Sequence, residues 1–539
     1  MAVSNWVEKA VAKRAEAQAK IPVEWKLSAD ILRQVSERGE QQSVLDVPRK
    51  SGILTVQELE ITENYDATAL RDKLAQGELS SVQVVTAFCK RAAIAQQVTS
   101  CLTETMFPQA LERAKELDAY LASTGKPSGP LHGVPISIKE SFNVVGVPST
   151  LGFVSFLDRE PARNNSALVE ILLAAGAVLY VKTNVPQTMM TADSHNNVFG
   201  RVLNPHRLNL TAGGSSGGEG ALVAMRGSIL GIGTDIAGSI RIPAMCCGTF
   251  GFKPSVSRVP YAGQASASRP GMTGIAPSAG PLCHSVRDAE MLLKLVFNAH
   301  ADDLDDMALA IPWTEPAPKS TLTIGVLPED PRMPLHPNVQ RTLAAAVEKL
   351  AAAGHHIVNL SGKMPSLADA TDLSFRYFQI DPDKTQMQHI VKGGEPAIPS
   401  LRFTFDVDGK EPEPTLRELF ELNTKRGQTM AQMRRVYLDN QLDIIIGPAY
   451  QSCAVPHDTF GTPLYTVVFN LVDYPACVIP FGQANEAADA KFVRDVSYYP
   501  PYLPKEVEGA PCHVHLIGRR LKDEALMQHA KIVESVLAK

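Results

Sequence analysis

Three serines, a lysine and an arginine carry the most specific chemical pattern in the chain. Residues Gly213 to Ala244 read GGSSGGEGALVAMRGSILGIGTDIAGSIRIPA. Ser215 and Ser216 sit in a first glycine-rich turn, and Ser239 sits in a second that is closed by Arg241 and Pro243. Between the turns lie an apolar run short enough for one helix and a run suited to one strand. Glycine permits close backbone approach, so such turns can aim several N–H groups at one point, which is what stabilising an oxyanion requires. A flexible linker would not run directly into ALVAM and SILGIGTDI, and a phosphate loop of the Walker type needs a Lys-Ser/Thr pair where this chain has Glu219.

A second chemical residue lies upstream, in LHGVPISIKE, Leu131 to Glu140. This short β-branched run follows the turn-like GKPSGP and places Lys139 at the end of an apparently buried strand. Burying an unpaired ammonium is unfavourable and lowers its pKa from ~10.4. The ordinary explanation is a lysine at a surface edge with a snorkelling stem.

Taken together, these motifs resemble the amidase signature family. Gly213–Gly218 matches Gly-Gly-Ser-Ser-Gly-Gly, and Gly231–Pro243 matches Gly-x-Gly-x-Asp-x-Ala-x-Ser-Ile-Arg-x-Pro. Gly133–Glu140 matches the segment that carries the family's lysine. FGFKPSVSRVP, Gly280–Leu282 and Ser285–Asp288 resemble the runs that follow the signature. The resemblance favours Lys139 as a base over the surface explanation. It implies Ser239 as nucleophile, Ser215 on a cis peptide as proton relay, and Lys139 as terminal base. It also implies an oxyanion hole from the N–H groups of Ile236, Ala237, Gly238 and Ser239, with Ala237 departing from the glycine common there. Ser216, Thr234, Asp235 and Arg241 match positions that support this geometry, and Met189 matches the acyl side of the pocket.

Within the family, Thr183–Met190 and the opening segments IPVEWK and SGILTVQELEIT are most like the fungal acetamidases and general amidases. Fatty amide hydrolases are more distant relatives, and the acidic pattern of tRNA amidotransferase subunits is missing from Thr183–Met190. The resemblance thus implies an acetamidase-like enzyme that hydrolyses a small carboxylic acid amide to carboxylate and ammonia through an acyl-enzyme, with neither metal nor cofactor. Hydrolysis of longer fatty acyl amides or esters is the alternative activity. A pseudo-amidase serving as a binding scaffold is the non-enzymatic one.

Composition agrees with a large enzyme. The chain has 539 residues, 45% hydrophobic and 20% charged, with a net charge of −5. That balance offers no basic stripe for nucleic acid. The eight cysteines lie mostly in apolar runs without metal spacing, and Cys246 and Cys247 read as small core residues. No apolar window reaches the ~20 residues of a membrane span, and the N-terminus lacks a signal-peptide core. A cytoplasmic setting is expected, with a small-molecule amide as the partner and a homodimer left open. His195 and His206 read as structural despite Asp193 nearby. The alternating His513 and His515 are the one histidine pair that could invite a metal.

The elements that must position these residues alternate along the chain. Residues 1 to 20 read as an amphipathic helix. Two helices hinged at Gly77 follow, the second capped by Ser80 and Ser81, and then a helix over Pro108 to Ser123. Helix and strand alternate through Ser166–Thr183, and a helix with a capping box begins at Ser285. Residues 300 to 320 read as a surface crossing. Later come a helix over Val339–Ala353, the strand HHIVNL, a helix near Leu367–Tyr377, and a glycine and proline stretch to Leu401. A helix pair over PEPTLRELFELNTKRGQTMAQMRRVYLDNQ precedes strands at DIIIGP, VIPFG and HVHLIGR and a closing helix over Asp523–Leu537. The expected fold class is α/β: a single large α/β/α domain with a mixed central sheet. Residues 1–66 are expected to form an N-terminal helical extension and 67–539 the main domain, with the serine and lysine motifs in about 131–290.

Overall fold

Alternating apolar strands and amphipathic helices assemble into one mixed sheet covered on both faces. The computed structural model describes residues 5–405, 407 and 413–539. In chain order the strands are β1 (Leu102–Thr105), β2 (Pro135–Lys139), β3 (Val178–Thr183), β4 (Leu230–Asp235), β5 (Phe250–Lys253) and β6 (Ser278–Cys283). They continue with β7 (Thr323–Val326), β8 (His356–Asn359), β9 (Ile444–Gly447), β10 (Ala476–Gln483) and β11 (Pro511–Ile517). These eleven strands form one sheet in the order β1-β3-β2-β4-β6-β5-β10-β11-β9-β7-β8, and a separate two-stranded ribbon pairs His195–Asn196 with Gly200–Arg201. β2 pairs parallel with both β3 and β4, whereas β4–β6 and β10–β11 are antiparallel. Every residue of β2, β3 and β4 is buried, as expected of parallel strands covered by helices.

The N-terminal helix Trp6–Ala19 is fixed to the sheet edge by charge. Lys13 and Lys20 both reach Glu104 of β1, at 2.5 and 2.7 Å. Residues 1–4 of the helix expected over 1 to 20 lie outside the described residues. The next stretch packs into the common core through Ile21, Trp25, Val44, Val47 and Ile61, with the Trp25 ring edge-on to Phe107. Ser80 caps the helix Ser81–Thr99 in a complete capping box with Gln83.

Three sequence expectations change. The pair of helices near residue 427 is one helix, Leu416–Asp439. Gly427 faces open space, and its penalty of ~1 kcal/mol is outweighed by burial of Leu422, Met433, Val436 and Tyr437. The stretch before Leu401 contains a helix, Thr385–Gly393. At Ser285 only half of the capping box forms. The Ser285 hydroxyl accepts from Asp288 N–H, but the Asp288 carboxylate turns to the N–H groups of Ala67 and Thr68.

Candidate active site

Lys139 ends β2 and Thr234 and Asp235 end β4, so two parallel neighbours bring all three to the carboxyl edge of the sheet. That edge is where open α/β sheets bind ligands. Ser215 and Ser216 immediately precede the helix Gly217–Ala224, and Ser239 stands just ahead of the helix Arg241–Cys247. The Gly214–Ser215 peptide is cis.

Lys139 is fully buried, and its Nζ donates to Ser215 Oγ and to Thr234 Oγ1, each at 2.8 Å. Burial brings its pKa from 10.5 down to about 7, although Asp235 and Glu219 pull the other way. The lysine is therefore an interior group partly unprotonated at neutral pH, and the snorkelling explanation does not apply.

The two serine turns are tied to each other and to β4. Ser216 Oγ donates to Thr234 C=O and accepts from Thr234 N–H, each at 3.3 Å, while Ser216 N–H donates to Ser239 C=O at 3.2 Å. Among the described residues the Ser215 and Ser239 hydroxyls do not form a hydrogen bond with each other. Such links are often loose before substrate arrives.

Asp235 shapes the second turn. Its carboxylate accepts from the N–H groups of Gly238 (2.8 Å) and Ile240 (3.1 Å), from Arg241 Nε (3.0 Å) and from Asn470 Nδ2 (2.9 Å). Burial alone would raise this carboxyl, but the Arg241 guanidinium beside it holds it well below the usual carboxylate range. Arg241 also donates to Asn470 Oδ1 at 2.6 Å, so the buried pair is completed by a third partner. Gly238 has φ +128°, and a Cβ there would collide with Thr466 Oγ1.

One of the expected donors is already engaged. Thr466 Oγ1 donates to Ala237 C=O at 2.7 Å while Gly238 N–H is spent on Asp235. The Ala237–Gly238 peptide is engaged at both ends, so of the four expected donors Gly238 N–H is the one that already has an acceptor. Among the described residues the N–H groups of Ile236, Ala237 and Ser239 have no acceptor.

Ser239 opens on two cavities. The larger, about 850 Å³, is lined by Met189, Met190, Ser215, Tyr261 and Phe405 among others. The smaller, about 30 Å³, is lined by Met189, Ile236, Ala237, Asp193 and Phe460 among others. Met189 belongs to both walls, and it and Thr188 have left-handed backbone with φ of +58° and +75°. A clasp holds this bend. Gln187 Nε2 donates to the buried Glu395 at 2.7 Å, and Glu395 also accepts from Val154 N–H (2.7 Å) and Asn197 Nδ2 (2.9 Å). Glu395→Ala leaves Val154 N–H without its acceptor, while Gln187 and Asn197 keep Pro396 C=O, so a loss of about 1 to 3 kcal/mol is expected in a denaturant titration.

His195 and His206 have local partners. His195 Nδ1 contacts Arg201, and His206 Nε2 contacts Cys247 C=O. Asp193 accepts from Arg201 (2.6 Å), Thr211 (2.9 Å) and Asp458 N–H (2.8 Å), so it makes no pair with His195. His513 Nε2 accepts from Ala449 N–H, and His515 Nε2 faces Arg241 at 3.3 Å, where a metal cation would meet like charge. All eight cysteines are buried and free.

Sequence reasoning missed Thr466 and Asn470. Both lie on the helix Leu464–Leu471, whose sequence has no chemical motif. It also missed a role for Glu219, where an acidic residue opening an otherwise apolar helix was the available signal.

The layered α/β fold and the lysine–serine edge define a class of hydrolase, and comparison with known proteins gives the family. The amidase family model matches residues 83–527. An amidase of Gibberella moniliformis is 40% identical over 545 residues, covering 100% of both chains. An acetamidase of Emericella nidulans is 37% identical over 99% of this chain and 98% of its own. A solved fatty acid amide hydrolase superposes with a TM-score of 0.93 at 30% identity, covering 99% of this chain and 95% of that one. The chain belongs to the amidase family.

Proposed function

We propose that the protein hydrolyses primary amides of small carboxylic acids through an acyl-enzyme on Ser239. Neutral Lys139 takes the Ser215 proton, and Ser215 takes that of Ser239 as its oxygen attacks the carbonyl carbon. The tetrahedral oxyanion is held by the free N–H groups of the Ile236–Ser239 turn. As the C–N bond breaks, the proton returns through Ser215 to the leaving nitrogen. Water then cleaves the ester by the same route. The carrying observation is the buried Lys139 Nζ at 2.8 Å from Ser215 Oγ, at the mouth of the turn that bears Ser239.

The cavities favour primary amides. The small cavity, about 30 Å³, is the side we assign to the leaving nitrogen, and its size favours ammonia over a bulky amine. The acyl part then takes the large cavity. N-alkyl amides are expected to react far more slowly than their primary counterparts. The names of the acetamidase relatives support a small acyl group. The 850 Å³ cavity favours a second reading, in which bulky acyl groups are accepted as well.

Rates from acetamide through palmitamide separate the two. Each buried methylene can add ~0.8 kcal/mol of binding, so a long-chain enzyme gains steeply along the series. The highest kcat/KM is expected among short aliphatic and small aromatic amides, and a continuous rise to palmitamide would overturn that expectation. Met189→Ala shortens one of the side chains that line both cavities, so the optimum should move to bulkier acyl groups. Every step above uses side chains and backbone, and exhaustive chelation is expected to leave turnover intact; loss restored by zinc would contradict the route. Free cysteines and the lack of a helix long and apolar enough to cross a membrane among the described residues support the cytoplasmic setting.

A further inference from the structure

Glu219 is the third residue of the helix Gly217–Ala224, is fully buried, and takes no part in the route above. Its Oε2 lies 2.5 Å from Ser137 Oγ and its Oε1 2.9 Å from Thr183 Oγ1. Ser137 stands two residues before Lys139 on β2, hence on the same face, and Thr183 is the β3 residue in register with Lys139. Gly231, paired with Ser137 on β4, makes room for the carboxyl, because a Cβ there would collide with Oε2. The chain thus builds a closed chamber for one acidic group beside its buried lysine.

The chamber offers hydroxyls and no cation. Among the described residues no lysine, arginine or histidine nitrogen pairs with Glu219, and no backbone N–H donates to it. The titratable groups that face it are Lys139 from β2, Tyr180 from β3 and Cys101 ahead of β1, with Asp235 beyond Lys139 at the end of β4. Tyr180 spends its hydroxyl proton on Gly227 C=O at 2.6 Å, and burial keeps both it and the Cys101 thiol uncharged. A carboxylate sealed among hydroxyls takes up a proton rather than remain an unpaired buried anion.

We infer that Glu219 is held as the neutral carboxylic acid, so that it adds no second anion to Asp235 near Lys139 and the lysine gives up its proton more readily. This rests on reading Lys139 as the base. The acid donates to Ser137 Oγ, and Ser137 passes its own hydrogen to Ser228 Oγ, 2.7 Å away. Thr183 donates to the remaining carboxyl oxygen. The carboxyl proton stays in place throughout turnover, and Glu219 is a positioning residue that acts through Lys139. Burial pushes the carboxyl up to about 8, which agrees with this arrangement.

Infrared difference spectroscopy at neutral pH tests it, because subtracting the Glu219→Gln variant cancels the other carboxyls. Wild type minus Glu219→Gln should show a carboxylic acid C=O band above amide I that shifts on deuteration and fades as pH rises through about 8. The acid limb of fluorophosphonate labelling at Ser239 should bend at the same pH in both proteins. Loss of a true anion would instead move it to lower pH by about 1 to 3 units. If Glu219→Gln fails to fold, Ser137→Ala serves: it keeps the acid but removes its acceptor, so the band should shift in frequency and persist. No band in wild type, or a displaced limb in Glu219→Gln, overturns the inference. If Lys139→Ala labels as fast as wild type, the base reading fails, while the band still reports the state of Glu219.

Discussion

Ser239→Ala is expected to lower kcat by about four orders of magnitude or more while leaving a folded protein. Removing the nucleophile of a concerted set eliminates nearly all the chemistry, and the remaining residues cannot substitute for the missing bond-forming oxygen. The fold should hold because the Ser239 hydroxyl has no hydrogen-bond partner among the described residues. Its backbone C=O, which accepts from Ser216 N–H, is untouched by the change. In wild type a fluorophosphonate probe should attach at Ser239, located by mass spectrometry of the peptide. Attachment at another serine would reassign the nucleophile. Full turnover by the alanine variant would remove the acyl-enzyme route altogether.

The residues that make this prediction possible were readable in the sequence because backbone demands there leave little choice. Two glycine-rich turns bracketing a short helix and a strand can only place Ser215 and Ser239 close together once that strand enters a sheet. A lysine ending an apolar strand announces either an edge or a special environment, and β2 is buried along its whole length. What sequence could not supply was contact across long separations. Thr466 and Ala237 meet over 229 positions, and that contact, together with Asp235, engages the Ala237–Gly238 peptide at both ends. Asn470 completes the Asp235–Arg241 pair from the same helix, whose YTVVFN run looks like ordinary core. Local rules failed where tertiary partners competed. Asp288 forgoes its own helix cap for the backbone of Ala67 and Thr68, and Gly427 is carried through a long helix by packing on either side of it.

Lys139→Ala is expected to lower kcat/KM by about two to four orders of magnitude and to slow fluorophosphonate labelling of Ser239 as well. The labelling result matters because the lysine acts before the covalent bond forms, whereas a residue needed only to protonate the leaving group would leave labelling intact. The pH dependence follows from the same group. Only the free amine accepts a proton, so in wild type log kcat/KM should rise with unit slope below about 7 and level off above it. The variant should lose that limb. Stability should respond in a linked way. Lys139 binds its proton near 10.5 when unfolded and near 7 when folded, so between those values the unfolded chain holds more protons. Its contribution to stability therefore grows as pH rises through that window, is complete above the unfolded value, and is lost as pH falls through about 7. Lys139→Met keeps the buried volume without the ionisable group. It should be more stable than wild type at neutral pH, by a margin that shrinks as pH is raised toward 10.5. A lysine that is catalytically necessary yet unfavourable to folding would show both effects in one position. Labelling at the wild-type rate, or an unchanged pH profile, would mean that another group draws the proton from Ser215.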